Sequence, residues 1–90
     1  MKITKTAQAG AVESSDVLIT VAPNLEGGIK VELETKRVIE KQFGRQIKKV
    51  IRETVEELGF EDVIVKAQDK GSLDYTLRAR VQAALERAAS

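Results

Sequence analysis

An α+β fold, a two-layer arrangement in which two helices cover one face of an antiparallel or mixed four-stranded sheet, is what this 90-residue sequence predicts. Three observations carry the expectation. Much of the first third alternates apolar and polar residues with a period of two, two later stretches repeat apolar residues at helical spacing, and a short alternating run separates those stretches. The element order is therefore β-β-β-α-β-α, and helices that follow strands in this way gather on one side of the sheet.

The elements follow in order. "AQAGAVE" (7–13) is a weak strand of small residues, with Gly10 marking a bulge. In "VLITVA" (17–22), Val17, Ile19 and Val21 point one way and Leu18 and Thr20 the other, and β-branched residues suit a pleated, half-buried surface. "PNLEGG" has loop composition and no phosphate-binding glycine pattern, so it reads as a flexible connection. "IKVELET" (29–35) alternates Ile29, Val31 and Leu33 with Lys30, Glu32 and Glu34, as in a strand with one buried face.

A long amphipathic helix is predicted over about residues 36–58. Phe43, Ile47, Val50, Ile51, Val55 and Leu58 share one face, while Lys41, Arg45, Lys48, Lys49, Arg52, Glu53 and Glu56 fill the other. Gly44 inside it implies a kink or a close neighbour. Gly59 suits a left-handed cap, with Phe60 folding back on the last turn. "EDVIVKAQ" (61–68) is a short strand and "DKG" a turn. A second helix runs over about residues 73–88, with Ser72 as N-cap, a buried stripe of Leu73, Leu77, Val81, Leu85 and Ala88, and an Asp74–Arg78 pair four residues apart.

Composition narrows function. Ninety residues make one domain, 1–90, and a chain of this size buries only about 60–65% of its unfolded surface. Fifteen basic and 14 acidic residues leave a net charge of +1, which gives no general attraction to nucleic acid or to anionic membrane. There is no cysteine and no histidine, which removes disulfides, thiolate chemistry and the commonest general base and metal ligand. These absences point away from an autonomous enzyme and from a metal site. "MKITKTAQAG" lacks the apolar core of a signal peptide, and no stretch approaches the roughly 20 apolar residues of a membrane span, so a cytoplasmic protein is expected.

Three stretches hold candidate chemistry. The basic run Arg45–Arg52 reads as a solvated face or a contact surface for an acidic partner, and three aromatic residues in the whole chain offer little for base stacking. "DKGSLDYTLRAR" is similar to the D-S-L signature of four-helix acyl carrier proteins, but Asp69 does not directly precede Ser72 and those bundles have no strands; Ser72 as a helix cap is the plainer reading. "AVESSDVLI" places Ser14 and Ser15 between Glu13 and Asp16 where the chain reverses. Ser-Ser fits a tight hairpin badly because such turns need positive φ. Read from the residues alone, either hydroxyl is part of an exposed turn or a site of modification.

Taken together, "MKITKTAQAGAVESSDVLITVAP" resembles the amino terminus of the citrate lyase acyl carrier proteins, the gamma subunits, with their pattern A-G-x-x-E-S-x-D before an apolar strand. The likeness continues through "EKQFG" and "DKGSLDYTLRARVQAAL" and covers nearly the whole chain. The resemblance implies that Ser14 carries phosphoribosyl dephospho-coenzyme A through a phosphodiester, that the alpha subunit exchanges acetyl for citryl on the distal thiol, and that the beta subunit cleaves the citryl thioester. A cofactor transferase and an acetylating ligase are the other implied partners, with no nucleic acid and no membrane. The carrier itself performs neither step and is not an enzyme. Glu13 and Asp16 are then either solvated turn residues or recognition points for those partners. Other readings are a carrier for a related lyase, such as one acting on citramalate, a small interaction or RNA-binding module using the Arg45–Arg52 face, and a free-standing enzyme using carboxylates.

Overall fold

The computed structural model describes all of residues 1–90. Six elements appear in the expected order: β1 (Ala7–Gly10), β2 (Val17–Pro23), β3 (Ile29–Glu34), α1 (Arg37–Glu57), β4 (Val63–Asp69) and α2 (Asp74–Ala89). The sheet is mixed, in the order β1-β2-β4-β3. β1 and β2 pair antiparallel, as do β2 and β4, whereas β3 and β4 are parallel because α1 carries the chain back between them. No helix is long and apolar enough to cross a membrane.

The period of two fixes what faces the helices. Val17, Ile19 and Val21 of β2 and Val63 and Val65 of β4 are fully buried, with Ala9 and Ala67 almost so. They stand opposite one another in register: Ala9 beside Ile19, Ile19 beside Ala67, Val21 beside Val65. Ile29, Val31 and Leu33 continue these rows but are only half-buried, since β3 is an edge strand. Against the rows pack Ile47, Val50, Ile51 and Val55 of α1 and Leu77, Val81, Ala84, Leu85 and Ala88 of α2, forming one core. α2 lies over β1 and β2, α1 over β3, and the two helices touch each other. The opposite sheet face is open, and there Gln8 donates to Thr20 Oγ1 at 2.9 Å.

Both ends of the long helix are informative. At its C-terminus Phe60 N–H donates to Val55 C=O (3.1 Å) and Gly59 N–H to Glu56 C=O (3.0 Å), with Gly59 at φ +78°. That is the Schellman pattern, and Phe60 is buried as expected. At the other end the expectation fails, because Phe43 is 53% exposed. The exposure is local to this side chain: Ile39, one turn earlier, is half-buried against the core and Gly44 beside it is buried, so Phe43 stands at the margin of the buried face. Gly44 meets only the Glu40 side chain, 3.3 Å from where a Cβ would sit, so no other element approaches it.

The start of α2 also differs from expectation. Leu73, at 58% exposure, lies outside the buried stripe. It occupies the N-cap position, the helix begins at Asp74, and no side chain caps it. Ser72 instead donates its hydroxyl to Asp69 Oδ1 at 2.6 Å. Arg78 turns away from Asp74 and reaches Glu57 of α1 at 3.3 Å, while Asp74 Oδ2 accepts a long bond from Gln46 Nε2 at 3.4 Å. The 24–28 loop is pinned rather than loose: Asn24 Nδ2 donates to the carbonyls of Gly27 and Gly28, and Asp62 Oδ1 accepts from Gly28 N–H at 2.8 Å. An N-terminal strap, unforeseen in the sequence, buries Ile3 and forms a bridge between Lys2 and Glu61.

Gly10 is the residue on which the first hairpin turns. It sits at φ +96°, and a Cβ there would lie 1.9 Å from the Val17 carbonyl oxygen. Gly59 also has positive φ but open space around it. Gly10→Ala is therefore expected to cost about 2–4 kcal/mol in urea unfolding, through strain plus a backbone clash, against about 1–2 kcal/mol for Gly59→Ala, which suffers strain alone. Equal losses would show that the β1–β2 approach is looser than described.

Candidate functional site

The loop between β1 and β2 is six residues long, Ala11–Asp16, not a two-residue hairpin. Glu13 to Asp16 form a β-turn closed by Asp16 N–H donating to Glu13 C=O at 3.0 Å. Ser15, at the third position, has φ +64°, the conformation that a type II turn demands there and that a non-glycine residue adopts at a cost of about 1–2 kcal/mol. Ser14, at the second position, stands at the corner. Both serines are exposed, and the Ser14 hydroxyl makes no hydrogen bond within the chain, so it is available to an outside group.

What holds this turn is the neighbouring one. Ser15 N–H donates to Lys70 C=O at 2.8 Å, and Lys70 N–H returns to Asp16 C=O at 2.9 Å. The two bonds extend the β2–β4 ladder by one step beyond Val17 and Asp69. Asp69 then organises the far side. Its carboxylate, 2% exposed, accepts from Gly71 N–H (3.1 Å), Ser72 N–H (3.1 Å) and the Ser72 hydroxyl. Four acceptor lone pairs on a carboxylate can meet three such donors, which offsets burial of the charge.

Asp16 closes the arrangement. Its Oδ1 accepts from Val17 N–H at 2.7 Å and from Arg80 Nε at 3.1 Å, and its Oδ2 from Arg80 Nη2 at 3.0 Å. This two-pronged fork ties the loop to α2 across 64 residues of chain. The Arg80 guanidinium and the Val17 amide hold the Asp16 carboxyl below the usual carboxylate range. Asp16 is thus committed inside the molecule and is neither a solvated turn residue nor a free recognition point; Glu13 remains exposed. Arg80, Asp69 and Lys70 were not singled out as site residues in the sequence. For Arg80 the only trace was its place in "DKGSLDYTLRAR", a run that points to a helix and not to what the helix clamps.

The other candidates separate from this site. Ser72 serves Asp69 and is half-buried, so it offers no free hydroxyl. Lys41, Arg45, Lys48, Lys49 and Arg52 are exposed along α1 and none enters an ion pair, as a solvated face requires.

A depressed folded-state pKa makes stability depend on pH with a definite sign. The Asp16–Arg80 contribution is fully present above the unfolded carboxyl value of about 4 and is lost as pH falls through the lower folded value. Denaturant melts from pH 6 down to pH 2.5 should therefore show a smaller acid-side loss for Asp16→Asn than for the parent. A variant that loses as much stability as the parent over that range would contradict the clamp.

The family profile described as malonate decarboxylase delta subunit (MdcD) matches residues 4–88. The chain is 52% identical over 88 residues to the citrate lyase acyl carrier protein of Halothermothrix orenii, covering 98% of this chain and 90% of that one. It is 53% identical over 89 residues to citrate lyase acyl carrier protein 2 of Salmonella typhimurium, covering 99% and 90%. Among solved structures, a Pseudomonas malonate decarboxylase hetero-tetramer in complex with malonate contains a chain that matches with TM-score 0.62 at 16% identity, over 93% of this chain and 84% of that one. A Thermus thermophilus protein matches with TM-score 0.68 at 14% identity over 97% of this chain and only 16% of its own length. At those identities the structures speak for the fold alone. The sequence matches go further: a chain that carries this turn and is more than half identical to such relatives over nearly its whole length belongs to the citrate lyase acyl carrier protein family.

Proposed function

We propose that this chain is the acyl carrier subunit of a citrate lyase and that Ser14 Oγ is the attachment point of its covalent arm, phosphoribosyl dephospho-coenzyme A. The observation that supports the site is the Ser14 hydroxyl itself: exposed, unengaged, and at the corner of a turn whose next two residues are hydrogen-bonded to Lys70, just past β4. The residues around it suit a phosphodiester. Asp16 would repel the phosphate, but its charge is matched by Arg80. Lys70, joined to the turn by two backbone bonds, is exposed beside it.

When attached, the arm supplies the thiol on which the acyl group travels. The chain supplies position. A rigid body with a tether at one corner keeps the thioester at an effective concentration of order millimolar around a docked partner, whichever of two active sites it visits. Nothing in this role calls for a general base on the carrier, so the reacting groups belong to the partners, the alpha and beta subunits of the lyase. The cofactor transferase and the acetylating ligase must each reach the same corner, which its exposure permits. One domain spanning 1–90 is sufficient for this work.

Ser14 and Ser15 are distinguished by backbone as well as by sequence pattern. Ser15 holds the left-handed position, where glycine is favoured. Intact mass measurement of the protein from its native host, with fragmentation, is expected to place one adduct on Ser14. Ser14→Ala should remove it, while Ser15→Gly should keep it and leave the fold as stable or slightly more so. An adduct on Ser15, or an unmodified chain from cells with an active lyase, would overturn the assignment.

A further inference from the structure

An apolar cleft of about 430 Å³ opens between the N-terminal half of α1 and the start of α2. Ile39, Phe43, Ile47 and Leu73 wall it, with Gln46, Asp74, Asp69 and Ser72 as its polar members, the last two already bonded to each other. Phe43 and Leu73 were expected in the core and stand 53% and 58% exposed instead, so two large side chains leave apolar surface in water at this one place. Exposed apolar surface rimmed by polar groups marks a binding site more often than chance.

We propose that this cleft is the resting site of the acyl group's tether: the pantetheine segment of the arm carried on Ser14 lies in it when no catalytic partner is docked. The proposal rests on the attachment at Ser14 given above, and deepens it. Position is the first support. Gly71 and Ser72 belong to the cleft, and the residue before them, Lys70, is bonded through its N–H and C=O to Asp16 and Ser15. The attachment turn and the cleft are thus two sides of one hydrogen-bonded unit. Asp69 fixes their relation by gripping Gly71 and Ser72.

Chemistry is the second support. A pantetheine segment has a geminal dimethyl group and two amides, and it meets here four apolar side chains, the Gln46 carboxamide and the Asp74 carboxylate, while the Asp69 carboxylate and Ser72 hydroxyl that also line the cleft are taken up by each other and by the 71–72 amides. Gln46 and Asp74 are joined only by a 3.4 Å bond, so both retain capacity to donate or accept elsewhere. Asp74 would repel phosphate, which leaves the nucleotide portion outside near Lys70 and admits only the uncharged stretch. Tethering lowers the affinity required: at an effective concentration of order millimolar, a site with a dissociation constant of about 1 mM is half-filled. Such weak binding holds the thioester back from water yet releases it readily to a partner.

Two-dimensional NMR on apo and arm-bearing protein tests this, with intact mass confirming the load on Ser14. Shift changes at Ile39, Phe43, Ile47 and Leu73, and cross-relaxation between the arm's methyl groups and the Phe43 ring, are expected. Leu73→Ser and Phe43→Ser, both at exposed positions, should load normally and lose those signals. Loaded protein whose changes stay within residues 12–17 and 70–71 would overturn the resting site while leaving Ser14 as the attachment point. Cleft signals that move only when a catalytic subunit is added would likewise overturn it in favour of a partner surface. A chain that carries no arm on Ser14 from cells with an active lyase overturns both.

Discussion

The Asp16–Arg80 fork is the interaction on which the site depends. A six-residue connection with one left-handed serine has no reason of its own to hold a single shape. Three anchors give it one: the Arg80 guanidinium on the Asp16 carboxylate, the Asp16 carboxylate on its own Val17 amide, and the pair of backbone bonds to Lys70. The fork spans the largest separation in sequence of the three and joins the loop to the helix that covers the sheet. Losing it would leave the turn attached along the ladder alone.

A second carboxylate, Asp69, does for the opposite turn what Asp16 does for the serine turn. Both lie at the same end of the sheet, where Val17 pairs with Asp69. Each satisfies amides that the strand ends would otherwise leave open, and a buried amide without a partner costs about 1–3 kcal/mol. The two acidic residues thus convert the frayed end of a small sheet into a fixed platform. On the function proposed above, this is how a chain with neither histidine nor cysteine serves chemistry: it holds one hydroxyl in place and lets other molecules bring the reactive groups.

Most of the fold was legible because burial in a two-layer domain imposes a period. Val17, Ile19 and Val21, or Val63 and Val65, can face only one way once a strand forms, and Gly59 followed by Phe60 announces its cap. Periodicity reports the phase of a helix but not the extent of what lies under it. Phe43 and Leu73 are in phase with the core and yet outside it: Phe43 stands at the margin of the buried face of α1, and α2 begins one residue later than the stripe suggests. Long-range polar partners were illegible for a related reason. Asp74 and Arg78 have the right local spacing, but Glu57 on a neighbouring helix takes the arginine, and nothing local shows that Asp16 faces Arg80. Ser14 was marked by family resemblance, whereas its distinction from Ser15 in backbone conformation emerges only in three dimensions.

A preformed turn at Ser14 is the central claim, and backbone amide relaxation by NMR on the unmodified protein tests it most directly. Ser15 and Asp16, whose N–H groups are both bonded, should show order parameters of about 0.85, level with the strands on either side. Values below about 0.6 across residues 13–16 would contradict it, showing a turn that takes shape only after the arm is in place.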